Sequence, residues 1–175
     1  MKKMVNIGKL AILAVTLVMA SCSKDDSAPI AAPTPIPANS SVVTAKVNGA
    51  AFSSVMFGVS SATANKMGTG TDTIITVLGS NFSASSISIT LHGVTETGTY
   101  TLDATTDSVI AYAPGSGDAA YGTGICSGVS GTVVVTSISD TKIEGTFSFT
   151  GKDGENCDTS EIKTVTEGSF RGVFK

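Results

Sequence analysis

The chain has 175 residues, 11 of them Lys or Arg and 14 Asp or Glu, for a net charge of −3. Only 14% of residues are charged, Gly reaches 19, and there are three Cys, one His and no Trp. This balance lacks the basic footprint of a nucleic-acid binder, and one histidine leaves little for histidine-based catalysis.

Lys2, Lys3 and Lys9 flank or precede an apolar run from Leu10 to Met19, after which small residues lead to Cys22. A basic start, a short apolar core and small residues at the end predict a secretory signal over residues 1–21. The run is well below the ~20 apolar residues needed to cross a bilayer. Met19-Ala20-Ser21-Cys22 resembles a bacterial lipobox, with Met19 where leucine is usual. The resemblance implies that diacylglycerol alkylates the Cys22 thiol, that the signal is cut before it, and that the new amino group is acylated. Several acyl chains together anchor stably where one is marginal. Plain secretion is the competing reading. Ser23-Lys24-Asp25-Asp26 is similar to the acidic tag that sends Bacteroidota lipoproteins to the outer cell surface; the alternative is a solvated charge cluster. The expectation is a protein held in the outer membrane through its N-terminal lipid and facing the cell surface. Without the three N-terminal lysines, 8 basic residues stand against 14 acidic ones, a net charge of −6.

Residues 22–41 contain Pro29, Pro33, Pro35 and Pro37 among Ala, Ser and Thr. Such a segment is a semi-rigid, extended spacer. From Val42 to residue 175 the pattern predicts one β domain. Val43, Ala45 and Val47 alternate with Thr44 and Lys46, and Asn48-Gly49 supplies a type I′ hairpin turn. A return strand is expected from Phe52 to Phe57. Residues 73–79 are apolar on both faces and predict a central strand, while 86–92 alternate with Ile87, Ile89 and Leu91 inward. Tyr100–Leu102 and residues 108–113 are expected to pair across a short loop. Residues 132–138 and 142–150 follow, joined by a turn at Ser139–Thr141, with Ile143, Phe147 and Phe149 on one face. In the last strand, 162–174, the alternation breaks near Gly168, which predicts a bulge. Exposed strand positions are filled by Ser and Thr rather than charges, as suits a sheet surface. Eight or nine strands with regular turns predict a single antiparallel β-sandwich, with an up-and-down or lipocalin-like barrel as the alternative.

The stretches KVNGAAFSS (46–54), GTYTL (98–102), 132–138, GTFSF (145–149) and Glu167-Gly168-Ser169-Phe170 resemble small Bacteroidota lipoproteins whose domain of unknown function opens on a K-V-N-G hairpin. The resemblance implies architecture and location. It brings no catalytic residue.

With Cys22 taken by lipid, Cys126 and Cys157 remain as an even pair in an oxidising compartment. They lie 31 apart without neighbouring histidines, so they predict a disulfide rather than a zinc set; free thiols are the alternative. The bond would pin the glycine-rich segment 114–128 to the acidic stretch 153–161. The acidic stretch holds Asp153, Glu155, Asp158 and Glu161, hard oxygen ligands that could bind Ca²⁺ or supply a carboxylate pair for glycoside hydrolysis. Tyr121, near Asp118 in the glycine-rich segment, is the tyrosine expected to be free to stack on a sugar, whereas Tyr112 reads as packed. His92 closes a polar strand end, and no G-x-S-x-G elbow presents a serine. Gly122, Gly124 and Gly128 miss the dinucleotide-binding spacing. Asp-Ser/Thr-apolar triplets mark Ser27, Thr73 and Ser108 as O-glycosylation candidates. The resulting expectation is a non-enzymatic domain without cofactor, with a sugar- or small-ligand-binding role as the alternative.

Overall fold

The computed structural model describes residues 37–175 apart from 116 and 118. The signal, most of the spacer, Cys22, Ser27 and Asp118 therefore lie outside the described residues. Thirteen strands follow in order: β1 (Val42–Val47), β2 (Ala50–Ser53), β3 (Val55–Met56), β4 (Val59–Ser60), β5 (Thr63–Met67), β6 (Ile74–Ser80), β7 (Ser86–His92), β8 (Gly98–Leu102), β9 (Val109–Ala113), β10 (Tyr121–Gly122), β11 (Gly131–Ile138), β12 (Lys142–Asp153) and β13 (Lys163–Val173). The only helical turn among the described residues is a 3-10 turn at Gly70–Asp72.

Eleven strands form one curled antiparallel sheet. One leaf runs β2-β1-β13-β12-β11-β8 and the other β10-β9-β7-β6-β5. The long β12 joins them: its first part pairs with β11 and β13, and Lys152–Asp153 continue into the other leaf against β10. The result is a sandwich closed along one side, which accommodates both the sandwich and the barrel expected from the pattern.

Alternation dictates which side chains face inward, since successive residues of a strand point to opposite faces. Ile87, Ile89 and Leu91 are fully buried, as are Val133 and Ile143, with Phe147 and Phe149 nearly so. Val77, Ile89 and Ile110 stand side by side across β6, β7 and β9 at the centre of the second leaf. In β6 only Ile75 and Val77 reach the core; Ile74 and Leu78 point the other way, so its two apolar faces reflect one buried side and one partly wet one. The outer face of the first leaf carries hydroxyls, with Thr44 Oγ1 and Ser169 Oγ 2.8 Å apart. Shared hydroxyl hydrogen bonds and two ion pairs, Lys46–Glu167 and Lys142–Glu144, satisfy the polar groups of that leaf.

The Asn48-Gly49 turn forms as read, with φ of 47° and 83°. The break in β13 is a bulge: Thr44 opposes Ser169 and Lys46 opposes Thr166, so two residues of β13 answer one of β1. Glu167 takes the left-handed conformation there. Beside it, Gly145 pairs with Phe170, and Phe147 pairs with Gly168. A Cβ on Gly145 would lie 2.8 Å from the Phe170 ring, and one on Gly168 would lie 2.5 Å from the Phe147 ring. Each glycine thus vacates the space its partner's aromatic ring occupies, which gives the GTFSF and EGSF stretches a common physical origin.

Two expectations are corrected. Tyr100–Leu102 and 108–113 do not pair; β8 pairs with β11 in one leaf and β9 with β7 in the other. In the connection that crosses between the leaves, Asp103 folds the chain on itself. Its Oδ1 accepts hydrogen bonds from the Thr105 N–H and hydroxyl, which also hold its carboxyl below the usual carboxylate range. The return strand expected to reach Phe57 stops at Ser53. Ser54 is buried, and its Oγ accepts a hydrogen bond from Val43 N at 2.9 Å, so the chain leaves the leaf and forms the separate hairpin β3–β4 around Phe57-Gly58. β5, which the sequence reading did not name, is an edge strand whose Thr63, Asn65 and Met67 are exposed.

Residues 37–41 dock onto β13 ahead of Val42. The Arg171 guanidinium donates to the carbonyls of Ser40 at 2.8 Å and Pro37 at 3.1 Å, and Val173 N donates to Ser41 Oγ.

Candidate functional site: a disulfide-clamped face

The face carrying most of the sequence candidates is built where β12 passes from one leaf to the other. Close approach is possible because Gly151 lacks a side chain: a Cβ there would lie 2.7 Å from the Tyr121 carbonyl. Tyr121 consequently sits between Tyr112 on β9 and Asp153 on β12. Beyond it, Cys126 and Cys157 form a disulfide with S–S 2.08 Å and Cα–Cα 5.3 Å. The bond ties the glycine-rich segment to the acidic stretch, and Cys126 itself is buried.

The acidic stretch is organised by its own hydrogen bonds. Asp153 Oδ1 accepts from Glu155 N at 3.2 Å and Oδ2 from Asn156 Nδ2 at 2.9 Å, while Asp153 N donates to Ser160 Oγ at 2.8 Å. Asn156 O accepts from the N–H groups of Thr159 and Ser160, closing the turn. Asp153 is thus committed to shaping the loop. Among the described residues, no group of three His, Cys, Asp or Glu side chains converges so as to hold a metal ion, and that holds for Asp153, Glu155 and Asp158, the Ca²⁺ candidates. Local spacing placed these carboxylates close along the chain, but the turn takes up both oxygens of Asp153.

Tyr121 is not a free platform. The Lys163 ammonium stands 5.1 Å above its ring, a cation–π distance, and Lys163 Nζ also donates to Glu161 Oε2 at 2.8 Å. That bond holds the Glu161 carboxyl below its ordinary range and raises the lysine. Lys163 was legible only as a strand residue, because its meeting with Tyr121 depends on the Gly151–Lys163 register of β12 and β13.

The other candidates separate. His92 is exposed at the end of β7, and its backbone N–H donates to Ser108 Oγ at 2.9 Å. Ser108 is half-buried with that oxygen engaged. Thr73 is 1% exposed, which removes it as a glycosylation acceptor in the folded domain. The residues 37–41 border a different recess. Asn39, Ser40, Ser41, Ser60, Thr63 and Asn65 line a cavity of about 480 Å³ beside β5, which no local motif announces because its walls come from distant segments.

A family model described as a domain of unknown function, DUF6252, matches residues 39–174. The chain belongs to this family. The match covers every strand of the DUF6252 domain and begins within the docked stretch 37–41, ahead of β1. No curated protein and no solved structure matches the chain.

Proposed function

We propose that the chain is an outer-membrane lipoprotein that displays a non-catalytic DUF6252 domain at the cell surface. The observation that carries this reading is the run from Leu10 into Met19-Ala20-Ser21-Cys22, followed at once by Lys24-Asp25-Asp26. The Cys126–Cys157 bond supports it, since structural disulfides persist in exported proteins. A non-catalytic role is supported by the site chemistry: the single histidine stands at a strand end, and Asp153 is spent on its own turn.

Metabolic labelling with a fatty acid tests the anchor. The wild-type chain is expected to take up label and migrate as the cleaved form, and Cys22→Ala to abolish both. Label persisting in Cys22→Ala refutes lipidation at that residue. A second arm tests orientation: replacing Lys24, Asp25 and Asp26 by alanine should keep the label but protect the domain from protease added outside intact cells. Unchanged shaving refutes the surface tag.

A second reading is small-ligand binding, favoured by the recess at Asn39 and Asn65. Its volume of about 480 Å³ lies within the roughly 300–1,000 Å³ of small-molecule sites, and its amide and hydroxyl lining suits a neutral polyol such as a sugar. Glycan-array binding by the wild type that is lost in Asn65→Leu would support it.

A further inference from the structure

The β3–β4 hairpin and the β6–β7 turn carry the most exposed large apolar side chains near one another: Phe57 is 95% exposed, Phe82 82% and Val59 71%. Met56, Val59 and Phe82 together line a shallow pocket of about 160 Å³. The two hairpins are fastened at their bases, where Ser61 N donates to Ser54 O and the Ser61 hydroxyl bonds to the Ser80 carbonyl. The cluster is therefore a tip held by the fold.

Phe57 is placed there against its own backbone preference. Met56 pairs with Val59, leaving Phe57-Gly58 as a two-residue turn with φ of 50° and 78°, the type I′ pattern. Asn48-Gly49 makes the same turn with the residue types that tolerate positive φ. A bulky aromatic residue at positive φ is an outlier, and here it has no packing to offset its strain. A side chain held in that way points to a role outside the domain. The surroundings are equally one-sided: no charged residue occurs between Lys46 and Lys66, nor between Asp72 and Glu96. Both hairpins can leave water without desolvating a charge.

The position of the tip says what meets it. Residues 1–36 join the domain at Pro37–Ser41, and Asn39–Ser41 share the 480 Å³ recess with Ser60, which also borders the tip pocket. The tip is thus beside the point where the tether arrives. We infer that Met56, Phe57, Val59 and Phe82 dock into the interfacial region of a lipid bilayer, seating the domain on the membrane to which the chain is anchored. This rests on the lipid-anchor reading above. Tethering makes the contact intramolecular, so a small apolar patch is enough to hold the domain at the surface. Because the tip is uncharged, the docking needs neutral lipid only and is insensitive to salt.

The chain has no tryptophan, so Phe57→Trp and, separately, Phe82→Trp give single reporters in the full chain. The protein is reconstituted on dioleoylphosphatidylcholine vesicles. If flotation shows that it does not associate through its own anchor, an N-terminal hexahistidine tag on nickel-chelating lipid holds it instead, so flotation reports the anchor and tryptophan emission reports the tip. Emission is expected to shift to shorter wavelength on the vesicles, equally at low and high salt, and to be quenched by lipids brominated in the acyl chains. Ile162→Trp, just ahead of β13 at the end remote from Arg171, should show neither. Phe57→Asn in the Phe82→Trp chain should lower the docked-to-undocked ratio by about tenfold or more while leaving the melting temperature unchanged or higher. Unshifted emission at both tip positions on tethered protein overturns the inference. So does a concentration-dependent shift without vesicles, which would assign the tip to self-association, or a fall in melting temperature with Phe57→Asn, which would make Phe57 structural.

Discussion

Cys126→Ser/Cys157→Ser is expected to unfold with about 3–4 kcal/mol less stability than the wild type, from the chain entropy released when a loop of 31 residues is opened. A domain of this size has about 5–15 kcal/mol in all, so the loss is a large share. The structure shows why the bond matters locally as well. Among the described residues, the segment between Ala113 and Gly131 forms only the two-residue strand β10, and most of the stretch 153–161 is shaped by turn hydrogen bonds. Ordering such segments costs about 1–2 kcal/mol per residue, with few buried apolar contacts to offset it. Denaturant unfolding of wild type and double serine variant gives the difference directly. The same purified protein, denatured without reductant, should show no alkylatable thiol at either position. A stability change near zero would mean that β10 and the acidic loop are held by the Lys163–Tyr121 and Gly151 contacts instead.

Phe170→Ala is expected to cost about 3–5 kcal/mol, the range for truncating a buried phenylalanine. Phe170 is nearly buried, its ring 6.3 Å from that of Phe147 and directly over Gly145. Gly145→Ala should also destabilise, by about 1–3 kcal/mol or more, because overpacking forces the backbone apart. The two variants separate the causes. A Cβ at position 145 meets the Val134 carbonyl oxygen at 2.2 Å as well as the Phe170 ring at 2.8 Å. Removing the ring therefore should not rescue Gly145→Ala, and the double variant should be nearly additive. Full rescue would show that the ring, and not the neighbouring strand, dictates the glycine. Urea midpoints for the four proteins complete the cycle.

These residues also mark how far the sequence could be read. GTFSF and EGSF were visible as motifs, and the broken alternation at Gly168 announced the bulge, since a period of two is a local property that an extra residue must disturb. That Gly145 answers Phe170 and Gly168 answers Phe147 was not visible, because nothing in either stretch names its partner. At the acidic loop, composition pointed to a cation, but hydrogen bonding within the turn decided where Asp153 goes. At Tyr121, local context pointed to an open ring, and a lysine 42 positions away covers it.

The sequence by itself determined the all-β class, the inward faces of the long strands, the Asn48-Gly49 turn and the pairing of Cys126 with Cys157. Each of these follows from side-chain period, from the conformational freedom of two residues, or from counting thiols. Only the tertiary structure decided that β8 and β9 belong to different leaves, that β12 bridges them, that Thr73 is buried, and that the turn carrying Phe57 lies next to a pocket shared by Met56, Val59 and Phe82. Alternation fixes which face a residue takes but says nothing about which strand lies alongside, and those four outcomes depend on the neighbour.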